Sequence, residues 1–293
     1  MKTNHTKLIC GLALLGAALL PATVSGQIYV GRASTIGEYN SDGTPINTSL
    51  ITGLSDPFGI VVSGGDIFVA NLLTGTIGEY NPDGTTVNAS LVTGLHLPYC
   101  MAVSGGNIFV ANYNGGPTTI GEYTTGGATV STSLIPGLSY SYGIAVSGGD
   151  IFVSDLANGT IGEYTTSGAT VNASLITGLS SPYGITLSGG DIFVANHGNG
   201  TVGEYTTGGA TVNASLITGL SNPDVISVSG GDIFVNNGTS TIGEYTTDGA
   251  TVNASLITGG AAIMGIAPAP EPSTLALAAL GGLGMFWQLR RRK

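Results

Sequence analysis

The sequence predicts an all-β, six-bladed β-propeller in which a C-terminal strand completes the N-terminal blade, with a signal peptide before it and a transmembrane helix after it. Three observations predict the ring. A Gly-Glu-Tyr triplet begins at Gly37, Gly78, Gly121, Gly162, Gly203 and Gly243, at spacings of 41, 43, 41, 41 and 40 residues. A period near 40 that carries several short strands is the signature of propeller blades. No part of the repeated region has helical periodicity, and the array is incomplete at its two ends in complementary ways.

Residues 1–26 read as a signal peptide. Lys2 and Lys7 supply the charged start, LICGLALLGAALL the apolar stretch, and ATVSG the small residues expected before cleavage ahead of Gln27. Signal peptidase is the implied partner for that step. Residues 27–267 hold the repeats, and one unit shows the strands in turn. GIVVS, at 59–63, is the first, and Gly64-Gly65 makes the tight turn that needs positive φ. DIFVAN, at 66–71, is apolar on successive positions, as a strand covered on both faces by neighbouring blades should be. TIGEY, at 76–80, is the third; after a turn at Pro82-Asp83-Gly84, ASLVTG at 89–94 is the outer fourth.

The ends of the array give the blade count. The first copy starts at QIYVGR, which matches DIFVAN and so lacks an innermost strand. The last copy is followed by AAIMGIAP, which matches SYGIAV and lacks everything after it. A strand around 263–267 supplies what the N-terminus lacks, closing six blades and removing both open edges. A linear solenoid would instead show atypical capping repeats at both ends.

Residues 268–293 form a separate segment. Pro270-Glu271-Pro272 precedes Ser273, residues 273–289 are 17 uncharged residues, and Arg290 to Lys293 are basic. As a helix that span is about 26 Å long, at ~1.5 Å per residue, enough to cross a bilayer with its basic end in the cytoplasm. The three parts in this order resemble a PEP-CTERM sorting signal; a plain C-terminal anchor is the alternative. The resemblance implies a Gram-negative bacterium, processing by an exosortase near the motif, and transient anchoring by the helix. Delivery to the cell surface or extracellular matrix would follow.

Composition excludes other roles. Between residues 27 and 267 there are 16 acidic residues against one arginine, Arg32, a formal charge of −15. Such a body repels phosphate backbones, so no nucleic-acid partner is expected. Cys10 falls in the signal peptide and leaves Cys100 without a partner, which argues against a disulfide framework. Cys100 stands where PFGI and PYGI have glycine and reads as a small buried residue. The triplet glutamates read as a repeated structural position bonded to a neighbouring blade, and their tyrosines as inter-blade packing. Asp66, Asp150, Asp191 and Asp232 follow the glycine pairs as turn residues. Asn88, Asn172, Asn213 and Asn253 match a glycosylation acceptor but read as loop-to-strand junctions.

The unit P-x-G-I-x-V-S-G-G-D-I-F-V-A-N…G-T-I-G-E-Y resembles NHL-type propeller repeats over residues 27–267. That group includes binding modules, calcium-dependent lactonases and streptogramin lyases. The resemblance therefore implies a fold and leaves function to the site.

Alternating connections put two kinds of loop on each face of a propeller. One face is monotonous, carrying TTGGATV, TTSGATV and TTDGATV. The other departs from the repeat. There the innermost strands begin with Phe58, Tyr99, Tyr142, Tyr183, Asp224 and Met264, and the second strands end with Arg32, Asn71, Asn112, Asp155, Asn196 and Asn237. The one insertion, around Tyr113 to Pro117, lies on this face, as do His96 and His197. The aromatic and polar residues form a candidate ligand site, rings stacking on apolar faces of a sugar and polar groups fixing its orientation. The alternative is that the aromatics pack between blades and the asparagines cap loops.

No nucleophile arrangement and no metal-ligand spacing is present, so no catalytic residue, metal or cofactor is assigned. Asp155 with neighbouring asparagine oxygens is the set that calcium would accept. The expected function is a non-catalytic binding or structural module of the cell surface, with exopolysaccharide as the candidate ligand. The alternative is a cation-dependent enzyme of the lactonase or streptogramin-lyase type.

Overall fold

A computed structural model describes residues 26–269 except 114 and 239. The predicted signal peptide, but for its last residue, lies outside the described residues. So do Pro270, Glu271 and Pro272 and the predicted helix 273–289.

Six four-stranded antiparallel sheets form the described body. The first sheet runs from Ile263–Pro268 at the channel through Gln27–Arg32 and Thr35–Asn40 to Pro45–Thr52 at the rim. The last strand thus completes the first blade. Tyr29 pairs with Ala267, Val30 with Ile266 and Gly31 with Gly265, and the Ala269 N–H donates to the Gln27 carbonyl at 2.7 Å. The next five sheets each use consecutive strands, the second being Pro57–Ser63, Asp66–Asn71, Thr76–Tyr80 and Thr86–Val92.

The core lies between blades. On Asp66–Asn71, Ile67 and Val69 face the preceding blade, where they meet Ile36 and Ile51. Phe68 and Ala70 face the following blade, where they meet Met101, Ile108 and Val110. Both faces are dry, which is why the strand shows no polar alternation. Closure creates an equivalent cluster, with Ile28, Val30, Ile263 and Ile266 packed on Phe234, Ile242 and Ile257.

The Gly-Glu-Tyr triplet has a steric cause. The tyrosine ring folds back over the glycine two residues earlier: a Cβ on Gly78 would stand 2.7 Å from the Tyr80 ring. Tyr80 is thereby delivered into the preceding interface, where it is buried against Ile36 and Ile60. The glutamate faces the other way. Glu122 accepts a bond from Asn107 Nδ2 at 2.8 Å within its own blade, where a bond to a neighbouring blade was expected. Asp66, Asp150, Asp191 and Asp232, expected as turn residues, stand close enough to the glutamate of their own blade to repel its charge.

These glutamates set a pH dependence. Burial, then the adjacent aspartate, raises the carboxyl pKa of Glu79, Glu163, Glu204 and Glu244; burial alone raises Glu38. A carboxyl whose folded pKa exceeds its unfolded value binds more protons when folded. Stability is therefore lost as pH climbs through the interval just above the ordinary carboxylate range. Bonds from the Thr44 and Thr85 side chains lower Asp42 and Asp83, which act in the opposite sense at more acid pH. The melting temperature is expected to be higher at about pH 5 than at about pH 8. Calorimetry at both values checks this, and a higher value at the alkaline end contradicts it.

Two strand boundaries differ from the sequence reading. Innermost strands such as Pro57–Ser63 start at the proline, and outer strands start earlier, as in Thr86–Val92 rather than 89–94. The turn before the outer strand is tight: Asn81 N–H donates to the Thr85 carbonyl at 2.9 Å, and Thr85 N–H to Asp83 Oδ1 at 2.9 Å. Asn88, Asn172, Asn213 and Asn253 consequently lie inside outer strands, not at junctions. Asn88 pairs with Glu79, its Oδ1 accepts the Ser90 N–H at 3.0 Å, and the register shifts there. Such bulges spoil an edge strand as a template for a second chain.

Candidate functional site

The six innermost strands converge on a channel cavity of about 290 Å³, and none of its lining residues is charged. Its wall includes Val61, Ala102, Val146, Thr186, Ser227 and Gly265. Four of the six blades have glycine where these strands converge, at Gly59, Gly143, Gly184 and Gly265. A Cβ on Gly184 would stand 2.6 Å from the Asp224 carbonyl, and one on Gly143 2.3 Å from that of Tyr183. Each close approach perches the adjoining side chain on the rim.

Four aromatic side chains meet there. Phe58 and Tyr99 lie edge to face at 5.4 Å, Tyr99 and Tyr142 at 4.5 Å, and Tyr142 and Tyr183 stack at 4.6 Å. Each comes from a different blade and is half-buried. His197 continues the arc, stacked on Tyr183 at 4.6 Å. Burial, then the neighbouring Tyr99, raises the Tyr142 hydroxyl pKa far above its usual value; burial and the Asp224 charge raise that of Tyr183. These hydroxyls stay protonated and act as neutral donors and acceptors.

Asp224 ends the arc. Its Oδ1 meets His197 Nδ1. A carboxylate on Nδ1 fixes the orientation of the ring. Both residues depart from the repeat: Asp224, in the sixth blade, stands where the second to fifth blades have an aromatic, and His197, in the fifth, stands where the second and fourth have Leu72 and Leu156. The sequence shows each departure, but only the fold brings them together.

The polar candidates at the ends of the second strands are placed differently. Asn71 Oδ1 accepts the Ser55 N–H at 3.2 Å, Asn237 Oδ1 the Ser221 N–H at 2.7 Å, and Asp155 Oδ2 the Ser139 N–H at 3.4 Å. Asp155 also holds both nitrogens of Asn158, at 3.0 and 2.9 Å. Arg32 caps the matching loop by donating to the Ala261 carbonyl. Asn71, Asn112 and Asn196 are buried, and Oδ1 of the last two has no partner among the described residues. These groups brace the loops beneath the rim. Among the described residues, no three His, Cys, Asp or Glu side chains gather as a metal site.

Two bracing residues were missed. Where three blades have Ala70, Ala111 and Ala195, the fourth has Ser154 and the sixth Asn236. Ser154 Oγ accepts from Gly143 N–H at 2.7 Å and donates to the Tyr183 carbonyl at 2.8 Å. Asn236 Oδ1 accepts from the N–H groups of Asp224 at 2.6 Å and Val225 at 2.9 Å. In these two blades the innermost strand is shorter, Ile144–Ser147 and Ile226–Ser229, because a side chain replaces the missing ladder bonds. A polar residue at a repeated alanine position was the available signal. Cys100 lies in the channel wall, where burial raises its thiol pKa against bonds from the Ile144 and Met101 backbone.

Residues 268–292 match the model of the PEP-CTERM protein-sorting motif, which implies exosortase processing and sorting to the cell surface of a Gram-negative bacterium. No curated protein matches the chain. Among solved structures, a chain of a nidogen/laminin complex is similar at TM-score 0.72 and 14% identity, covering 84% of this chain and 99% of that one. A streptogramin B lyase is similar at TM-score 0.56 and 21% identity, covering 84% and 74%. A virginiamycin B lyase from Staphylococcus aureus is similar at 0.52 and 23%, covering 68% and 69%. At such identities these likenesses establish the fold alone. The chain is a six-bladed β-propeller that carries a PEP-CTERM sorting motif at its C-terminal end.

Proposed function

We propose that the protein is a non-catalytic binding module of the cell surface or extracellular matrix, and that its channel mouth takes an exopolysaccharide. The observation that carries this reading is the arc of Phe58, Tyr99, Tyr142 and Tyr183, contiguous across four blades at one end of the channel. Aromatic edges and neutral hydroxyls suit the mixed apolar and hydroxylated surface of a sugar. Asp224 and His197 add oriented hydrogen-bonding groups beside it.

The route of the chain supports the same reading. Ile28 pairs with Pro268, so Gln27 and Ala269 stand together at the end of the first blade opposite Arg32 and the mouth. Ala269 therefore stands on the face away from the arc. A tether attached beyond it would present the mouth outward.

On a glycan array, Tyr99→Ala and Tyr183→Ala are expected to lose the wild-type signal by at least about tenfold while keeping the wild-type circular dichroism spectrum. Tyr99→Phe, which copies Phe58 of the neighbouring blade, is expected to fold and to retain most of it. Unchanged binding in both alanine variants removes the reading. Turnover of a lactone in the presence of calcium, lost on His197→Asn, replaces it with an enzymatic one.

A further inference from the structure

We propose that Tyr113 and Tyr140 form an outer subsite that extends the channel mouth into a lane for a neutral polysaccharide chain. This rests on the glycan-binding reading of the mouth and adds the form and charge of the ligand.

The inference starts from backbone strain. In each loop that enters a blade, one residue adopts positive φ: Asp56 at 49°, Leu97 at 40°, Ser181 at 51° and Asn222 at 49°. In two of these loops its carbonyl accepts a bond from the facing loop, Asp56 from Leu72 and Ser181 from His197. In the fourth blade this residue is Tyr140, at φ 54°, and its carbonyl accepts the Leu156 N–H at 3.2 Å. Asparagine and aspartate tolerate this conformation; Leu97 and Tyr140 are the bulky side chains that adopt it, and for Tyr140 it needs a compensating reason.

No burial compensates it. Tyr140 is 47% exposed, although its ring stacks on Tyr113 at 5.4 Å. Tyr113 is itself a departure, standing where other blades have Leu72, Leu156 or His197, and it opens the one insertion in the six repeats. Two irregularities from neighbouring blades thus assemble one exposed platform. It joins the rim, because Tyr113 lies 6.5 Å from Tyr99. From Tyr140 the rings run through Tyr113 and Tyr99 to Tyr142 and Tyr183, each within reach of the next.

A monosaccharide would not need a path of this extent, whereas a chain polymer would lie along it. Charge selects among polymers. The body carries 16 acidic residues and Arg32 as its one lysine or arginine, and that guanidinium is buried in a loop cap. An acidic polysaccharide would meet like charge without a cation to neutralise it, so the fitting ligand is uncharged.

The repeats supply variants that other blades already fold with: Tyr140→Asn copies Asn222, and Tyr113→Leu copies Leu72. Calorimetric titration would use a neutral glycan that scores on the array, as disaccharide and as hexasaccharide, with a polyuronate and a polyproline peptide beside it. The expected result is that wild type binds the hexasaccharide more tightly than the disaccharide. Each variant should weaken the hexasaccharide by about tenfold and leave the disaccharide unchanged. A hexasaccharide unaffected by both variants, or both lengths weakened equally, overturns the outer subsite while the mouth stands. Preference for the polyuronate or the peptide also overturns it. A wild type that binds no glycan removes the mouth reading and the lane together.

Discussion

A chain ending at residue 262 is expected to lose its cooperative thermal transition, whereas one ending at 269 keeps it. Removal of 263–269 leaves the first sheet with three strands and exposes the ladder face of Gln27–Arg32. It also removes Ile263 and Ile266 from one cluster and Ala267 from the next, and uncovers Ile28 and Val30 beside Phe234. At about 1.5–3 kcal/mol for each large side chain, the two isoleucines alone contribute roughly 3–6 kcal/mol. That is comparable with the whole stability of a typical domain, about 5–15 kcal/mol. A synthetic peptide spanning 262–269, added in trans, should restore part of the transition by mass action. Equal melting temperatures for the two chains would show that closure contributes little. The expectation also constrains sorting: the closing strand ends at Pro268, where the matched motif begins, so processing must leave residues up to Pro268 attached to the body.

The second large effect runs against β-propensity. Glycine inside a strand is ordinarily the weaker choice, and alanine there gains stability. Gly203→Ala is expected to do the reverse. Its Cβ would lie 2.8 Å from both the ring and the hydroxyl of Tyr205, whose ring is locked among Phe152, Ile161 and Ile185 of the two adjoining blades. Overpacking of this kind costs about 1–3 kcal/mol, a fall of about 5–10 °C at the upper end for a domain of this size. Tyr205→Ala alone should also destabilise, by leaving a cavity. With Tyr205→Ala present, adding Gly203→Ala should cost nothing further, and the coupling read from the double-mutant cycle isolates the clash. An additive cycle would mean that the glycine answers to something other than the tyrosine.

The repeat period and the two complementary fragments, QIYVGR and AAIMGIAP, made the blade count and the closure legible, because strand pairing is local once the register repeats. The aromatic rim was legible as a set of departures, Phe58, Tyr99, Tyr142 and Tyr183 against a constant background. Their mutual packing was not, since it follows from how steeply six strands converge. The asparagines looked alike with the aromatics in the sequence, yet Asn71 and Asn237 turn their oxygens to loop N–H groups and support the rim from below.

The sequence by itself determined the sheets, their order and the face on which the blades cease to be alike, because period and composition report directly on local pairing and burial. Only the tertiary structure decided which departures meet. His197 with Asp224, Tyr140 with Tyr113 and Ser154 with Tyr183 each join residues of neighbouring blades, 27 to 29 positions apart. Distance along the chain carries no record of such pairs. Their contact is set by the curvature that brings one blade against the next.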